Sequence, residues 1–202
     1  MPKRIKEGKL LYHITALDNI QSIFENGLHS RSTMPCSEFL KTDVAREDII
    51  RKRRELGILD YVPFHFFVPT PFAGAVFKAH PDKTFCTIAI TRELAKERGF
   101  SICTAHPLSL SPKAEVLPYD KGFERIDWEA AERRDYKDEA SKNACMAECL
   151  ATSPVQPDDF CLIFVPDSDV QSLVERLAEE TLGRDSFDIA INNWLSRKAK
   201  ER

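Results

Sequence analysis

Residues 84–91 read TFCTIAIT, and no other stretch restricts the fold as much. β-Branched, aromatic and small apolar side chains fill the segment, which is the composition of a buried strand. Such a strand must hand its N–H and C=O groups to neighbours, so a sheet has to form around it. Further strands are expected at 10–15, within YVPFHFFV (61–68), at 101–105, across ACMAECLA (144–151), at 160–165 and at 187–191. Helical spacing fills the intervals. Ile20, Ile23 and Phe24 mark a helix closed by Asn26-Gly27. A second covers 43–56, with Val44, Ile49 or Ile50 and Leu56 inward and Gly57 as its stop. Shorter helical patterns follow at 72–77, 92–98 and 127–136, and a strongly amphipathic one at 170–182, while 30–42 is aperiodic and reads as a loop. Strands and helices mix without a regular βαβ rhythm, which predicts an α+β fold rather than a doubly wound one. No internal repeat or linker interrupts the pattern, and 202 residues suit one domain spanning 1–202.

Composition narrows the classes. With 43% hydrophobic and 30% charged residues the chain is of ordinary globular type. No stretch approaches the ~20 apolar residues that cross a bilayer. The basic start MPKRIKEGK is not followed by the apolar core of a signal peptide, so a cytoplasmic protein without a membrane partner is expected. No long heptad pattern is present, and the default expectation is a monomer. Six cysteines (Cys36, Cys86, Cys103, Cys145, Cys149 and Cys161) are scattered, which suits reduced thiols better than a disulfide framework. Cys145 and Cys149 are spaced C-x3-C, and Cys103 lies near His106. The paired C-x2-C of a zinc site is missing, so no metal is expected.

A formal net charge of −3 argues against coating duplex nucleic acid by bulk attraction. It leaves room for a local groove. Arg46, Arg51, Lys52, Arg53 and Arg54 concentrate positive charge, whereas Arg197, Lys198, Lys200 and Arg202 read as a solvated tail. G-x-G-x-x-G, the P-loop, G-x-S-x-G and H-E-x-x-H are all absent. What remains is a distributed set. Glu148 sits among apolar residues in a segment read as core strand, where an unpaired carboxylate costs several kcal/mol. It is paired, protonated or functional, or it faces outward from a half-exposed strand. His13 and Thr15 are two apart, so on a strand they share one face and can address a ribose hydroxyl and an amide. A satisfied structural histidine is the other reading.

Several of these segments are found together elsewhere. YHIT-x-LDNI-x-SI-x-x-x-GL (12–28), I-x-x-RR (50–54), LDYVPFHF (59–66), IDWEAAERRDY (126–136) and MAECL (146–150) resemble, in order, the DarT family of toxins. Those enzymes transfer ADP-ribose from NAD onto a base of single-stranded DNA. The resemblance spans most of the chain and implies an ADP-ribosyltransferase-like split, mostly antiparallel sheet with flanking helices. It implies NAD as substrate, an antitoxin partner of the ADP-ribosyl hydrolase type, and a set of site residues. Glu148 falls on the catalytic glutamate. Arg53 falls on the family arginine if Ile50 is the anchor, and a one-residue slip moves that role to Lys52 or Arg54. His13, Thr15, Asn19, Arg54 and Phe64 fall on the cofactor side, with Phe64 or Phe66 against the nicotinamide and core packing as the alternative. Arg51, Trp128 and Tyr136 would meet the DNA strand, although both aromatics can equally be core.

One departure concerns the acceptor. Thymidine-modifying members continue VPFYF into a stretch like PRSPMLY, whereas this chain reads VPFHFFVPTPFAGAV (62–76), with His65 in place of a tyrosine. Thymine and guanine, the latter used by another branch of the family, both stand as the expected base. An ADP-ribosyltransferase or phosphotransferase acting on RNA or protein, or a non-catalytic nucleic-acid-binding module, is the alternative.

Overall fold

The computed structural model describes residues 4–33, 47–109, 113–183 and 187–196. Eight strands form one sheet: β1 (Leu10–Ala16), β2 (Val62–His65), β3 (Phe85–Thr91), β4 (Ser101–Cys103), β5 (Val116–Pro118), β6 (Glu148–Ala151), β7 (Leu162–Val165) and β8 (Asp188–Ile191). Their order is β5-β4-β6-β2-β1-β3-β7-β8, and each neighbouring pair is antiparallel except β7 with β8. Around the sheet lie α1 (Ile20–Asn26), α2 (Glu47–Glu55), α3 (Pro71–Ala79), α4 (Arg92–Glu97), α5 (Tyr119–Arg125), α6 (Trp128–Arg133), α7 (Glu139–Ala144) and α8 (Ser168–Leu182). The architecture is the α+β one read from the sequence.

β3 behaves as its composition requires. Cys86, Ile88, Ala89 and Ile90 are fully buried, and the strand pairs with β1 along seven residues and with β7 along three. The β1–β2 junction is different: Tyr12 and His65 are its one register pair. Pro63 supplies the reason. Backbone N–H and C=O of one residue in an antiparallel strand point to the same neighbour. The Pro63 carbonyl is taken by the His13 side chain, so the N–H that proline lacks is the one owed to β1. The sheet therefore opens between β1-β3-β7-β8 and β5-β4-β6-β2. This is the split expected from the resemblance.

Three expectations change in detail. ACMAECLA is not one strand: Ala144 ends α7, Cys145 to Ala147 continue in helical-type turns, and strand begins at Glu148. A short apolar run carries too few periods to separate helix from strand. YVPFHFFV pairs only through Val62–His65. β5 and α5 were not foreseen, because three residues of strand leave no periodic signature. Asp127 caps α6 through the Ala130 N–H, and Arg134 ends it in the left-handed region at φ 48°. Residues 43–46 of the expected second helix, with Val44 and Arg46, lie outside the described residues, as do Cys36, most of the expected 30–42 loop and the basic tail.

Candidate active site

Where β1 and β2 part, a cavity of about 740 Å³ opens. That is the size of a ligand site for a small molecule or cofactor. The end of β1 forms one wall, from His13 to Ala16, and Asn19 continues it. The turn after α1, the inner face of α2, Pro63 and His65 of β2, part of α3, and α7 with Glu148 form the rest.

Glu148 opens β6, opposite His65 of β2 and Cys103 of β4, and is 6% exposed. Its charge is paired. Arg53 of α2 places Nη1 2.5 Å from the carboxylate, and its Nη2 donates to the carbonyls of Ile58 and Tyr61 at 3.4 Å each. Of Lys52, Arg53 and Arg54, it is Arg53 that turns inward. Lys52 pairs with Glu55 on the outer side of the helix, and Arg51 and Arg54 are exposed and off the cavity wall.

His13 donates from Nδ1 to the Pro63 carbonyl at 2.8 Å, which leaves the lone pair on Nε2. Burial pushes its pKa down to about 4; His65 and Arg53 add to the shift, against the Pro63 bond and Glu148. The ring is neutral at ordinary pH. His65, also buried, is held below the usual imidazole range by burial, and its Nδ1 has no hydrogen-bond partner. Thr15 and Asn19 meet on the wall, the Asn19 amide lying 3.3 Å from the Thr15 hydroxyl.

Not every expected residue arrives at the cavity. Phe64 is fully buried with its ring 5.7 Å from His13, and strand alternation is the cause: Pro63 and His65 line the cavity while Val62 and Phe64 enter the core. Phe66 is core as well. Trp128 packs at 5.2 Å on Phe66 and 4.7 Å on Phe123, and its indole N–H donates to the Phe123 carbonyl at 2.7 Å. Trp128 is thus withdrawn from any nucleic acid. Tyr136 does lie on the cavity wall, 42% exposed, with its hydroxyl donating to the Pro69 carbonyl. His65, Tyr61, Phe72 and Asn143 line the cavity and were not picked out as site residues. For His65 the signal was available, since alternation places positions 63 and 65 together. Among the described residues no group of three or more His, Cys, Asp or Glu is placed to hold a metal.

The cavity thus brings together Glu148, Arg53, His13, Thr15 and Asn19 where the sheet splits. Residues 12–195 match the family described as DarT, ssDNA thymidine ADP-ribosyltransferase. The chain belongs to the DarT family. As a DarT it is an NAD-consuming enzyme that ADP-ribosylates single-stranded DNA. The fold agrees with solved structures. Thermus sp. 2.9 DarT in complex with ADP-ribosylated ssDNA superimposes with a TM-score of 0.80 at 19% identity, covering 97% of this chain and 100% of that one. The same organism's DarT in complex with NAD+ gives 0.74 at 16% identity, over 94% and 98%. Thermosipho africanus DarTG in complex with ADP-ribose gives 0.70 at 19% identity, over 93% of this chain and 50% of that one. No curated protein is significantly similar in sequence.

Proposed function

We propose that Glu148 is the catalytic base of this DarT, and that a thymine of single-stranded DNA is its acceptor. The observation that carries the reading is a buried carboxylate held by Arg53 at the wall of a dinucleotide-sized cavity. Cleaving the nicotinamide–ribose bond builds positive charge on the ribose and releases neutral nicotinamide. A fixed carboxylate stabilises that charge. The attacking base nitrogen then forms the bond to the ribose carbon, and its proton passes to Glu148. Arg53 acts on Glu148 by fixing its direction. His13, Thr15 and Asn19 orient the cofactor, His13 as a neutral ring with one nitrogen already held by Pro63.

The acceptor reaches the site unpaired, because the reacting edge of a duplex base is occupied. Tyr136, Lys137 and Lys142, on the α7 side of the cavity, are suited to hold it. The family description names thymidine, which supports thymine over guanine despite His65. The DarTG complex supports an antitoxin partner, and its bound ADP-ribose is consistent with one of the ADP-ribosyl hydrolase type. One continuous sheet supports reading the chain as a single domain, and no helix among the described residues is long and apolar enough to cross a membrane.

The test is incubation with NAD and four single-stranded oligonucleotides, each presenting one base type, followed by intact mass. One added ADP-ribose on the thymine strand alone is the expected result. An adduct on guanine alone moves this chain to the other branch. No adduct on any strand, with NAD intact and the protein folded, removes the DNA-modifying reading.

A further inference from the structure

Among the described residues, four buried side-chain nitrogen or oxygen atoms have no hydrogen-bond partner. Thr87 Oγ1 and Trp194 Nε1 belong to residues off the cavity wall, whereas His65 Nδ1 and Asn143 Nδ2 belong to residues that line it. Leaving a buried polar atom unpaired is costly, and at a cavity a bound molecule is the natural partner. His65 is the one set beside the chemistry. It is 5% exposed and pairs in register with Glu148 across β2 and β6, and residues paired in this way project to the same face. The contrast with His13 is direct: Pro63 fixes the tautomer of that ring, while Nδ1 of His65 is committed to nothing.

Its neighbours tie it to the acceptor residues. The ring packs at 5.5 Å on Phe72, another wall residue, and Pro69, between the two in the chain, accepts the Tyr136 hydroxyl. His106, near enough to act on the charge of His65, donates its backbone N–H to the Asn143 carbonyl of α7 at 3.0 Å. His13, of the cofactor residues, bonds Pro63 just before it. His65 therefore stands where the two sets of residues meet, and a base must lie there to reach the ribose beside Glu148.

We propose that His65 donates an N–H to the carbonyl oxygen flanking the attacking nitrogen of the acceptor base, and so selects the base edge presented to Glu148. The assignment rests on the DNA-modifying reading above. The attacking nitrogen must bring a proton for Glu148 to take. In thymine the ring N–H lies between two carbonyls and in guanine it adjoins one, while adenine and cytosine in a strand have no ring N–H. A carbonyl oxygen only accepts, so the nitrogen of His65 that meets it carries the proton. As the base proton passes to Glu148, negative charge spreads from the nitrogen onto that oxygen, and a fixed donor stabilises it. The nitrogen then closes its bond to the ribose carbon, and His65 keeps its own proton throughout.

The experiment compares wild type with His65→Phe, His65→Leu and His65→Gln on strands whose reactive base is thymine, 2-thiothymine or 4-thiothymine. Sulfur accepts hydrogen bonds poorly and leaves the ring N–H in place. The readouts are kcat/KM on each strand, KM for NAD, inhibition by ADP-ribose and the melting temperature. His65→Phe and His65→Leu should lower kcat/KM on thymine by about 10- to 100-fold, the worth of a hydrogen bond to a charged group. KM for NAD and ADP-ribose inhibition stay within about twofold, and neither variant melts below wild type, since an unpaired buried nitrogen has been removed. His65→Gln keeps a donor and recovers part of the loss. Sulfur at the held oxygen narrows the gap between wild type and His65→Phe to about twofold, and sulfur at the other oxygen preserves it. A gap that both thio strands leave unchanged overturns the assignment, as does an equal weakening of ADP-ribose. If wild type modifies guanine alone, 6-thioguanine decides by the same comparison. Wild-type protein that modifies no strand overturns the DNA-modifying reading itself, so the two failures are told apart.

Discussion

Among the described residues two arginines are buried, and their surroundings are opposites. Arg53, 8% exposed, meets a carboxylate at the edge of a cavity. Arg92, 7% exposed at the start of α4, is surrounded by neutral acceptors. Its Nε donates to Leu10, Nη1 to Lys6, and Nη2 to Ile5 and Phe66, all backbone carbonyls at 2.8–3.2 Å. Its guanidinium carbon lies 5.1, 5.8 and 5.9 Å from the rings of Phe66, Phe123 and Trp128. Burial alone would disfavour this charge, and the carbonyl dipoles and ring faces take the place of water. The arrangement ties the segment before β1 to the end of β2 and to α4. Arg92 is a staple whose partners neither titrate nor move. Arg53 instead gives Nη1 to a charged, reactive group at a cavity wall and only Nη2 to backbone carbonyls, which is the geometry of a site. Burial of a charge therefore signals function here only when its partner faces a cavity.

The largest effect should come from the reactive side of this comparison. Glu148→Gln keeps shape and an acceptor for Arg53 but removes the base, and transfer of ADP-ribose should fall by about 10²- to 10⁴-fold. Single-turnover mass spectrometry of the modified oligonucleotide measures it, with circular dichroism on the same sample to show that the fold is kept. A loss below tenfold would return Glu148 to a structural role. Arg92→Leu should do the reverse. It removes a charged donor from four carbonyls and empties the aromatic box, and should cost about 3–5 kcal/mol in urea unfolding while transfer per folded molecule persists at low temperature. If Arg92→Leu abolishes transfer without changing the unfolding midpoint, the contrast between staple and site is wrong.

The same contrast explains what was legible beforehand. Glu148 and His13 stood out because a charged or titratable residue in an apolar strand needs a partner, and that demand is visible from neighbours in the chain. The partner was harder: Arg53 lies 95 residues from Glu148, and its place among four basic neighbours depends on the rotation of α2. Trp128 and Phe64 were assigned to ligands because aromatic side chains look alike whether they cover a core arginine or a substrate. Arg92 drew no attention, since a single arginine after a strand resembles any helix start. The α+β class and most strands followed from local composition, whereas β5 is too short to carry a pattern. The split itself was legible only through the resemblance, although Pro63 held the physical cause.

Buried histidines sharpen the comparison, because unlike the arginines they yield their charge. The unfolded His13 binds a proton near the ordinary imidazole value of about 6.5, and the folded one only near pH 4. Its neutral form is favoured in the fold, so that contribution to stability is complete above about pH 6.5 and is lost as pH falls toward 4. The amount is on the order of 3 kcal/mol. His65 shifts in the same direction. Urea midpoints between pH 7.5 and 4 should decline over that window, and His13→Asn should flatten the curve. A midpoint flat across the window in wild type would show that the rings are not excluded from water as the geometry requires.

Tyr136 gives the smallest and most discriminating effect. It is half-exposed at the cavity wall, anchored by a single bond from its hydroxyl to Pro69, whereas Trp128, a few residues earlier, is locked into the Arg92 box. Stacking of one base on an exposed ring is worth about 1 kcal/mol at the low end of its range. Tyr136→Ala should thus raise KM for the oligonucleotide by about fivefold while leaving KM for NAD and the unfolding midpoint in place. Tyr136→Phe should keep most of the affinity, since the ring does the stacking and the hydroxyl only fixes the loop. If Tyr136→Phe is as impaired as Tyr136→Ala, the bond to Pro69 is what matters, and the strand is guided by loop position rather than by an aromatic platform. If neither variant changes KM for DNA, Lys137 and Lys142 carry the strand electrostatically, and the affinity should then fall steeply with added salt.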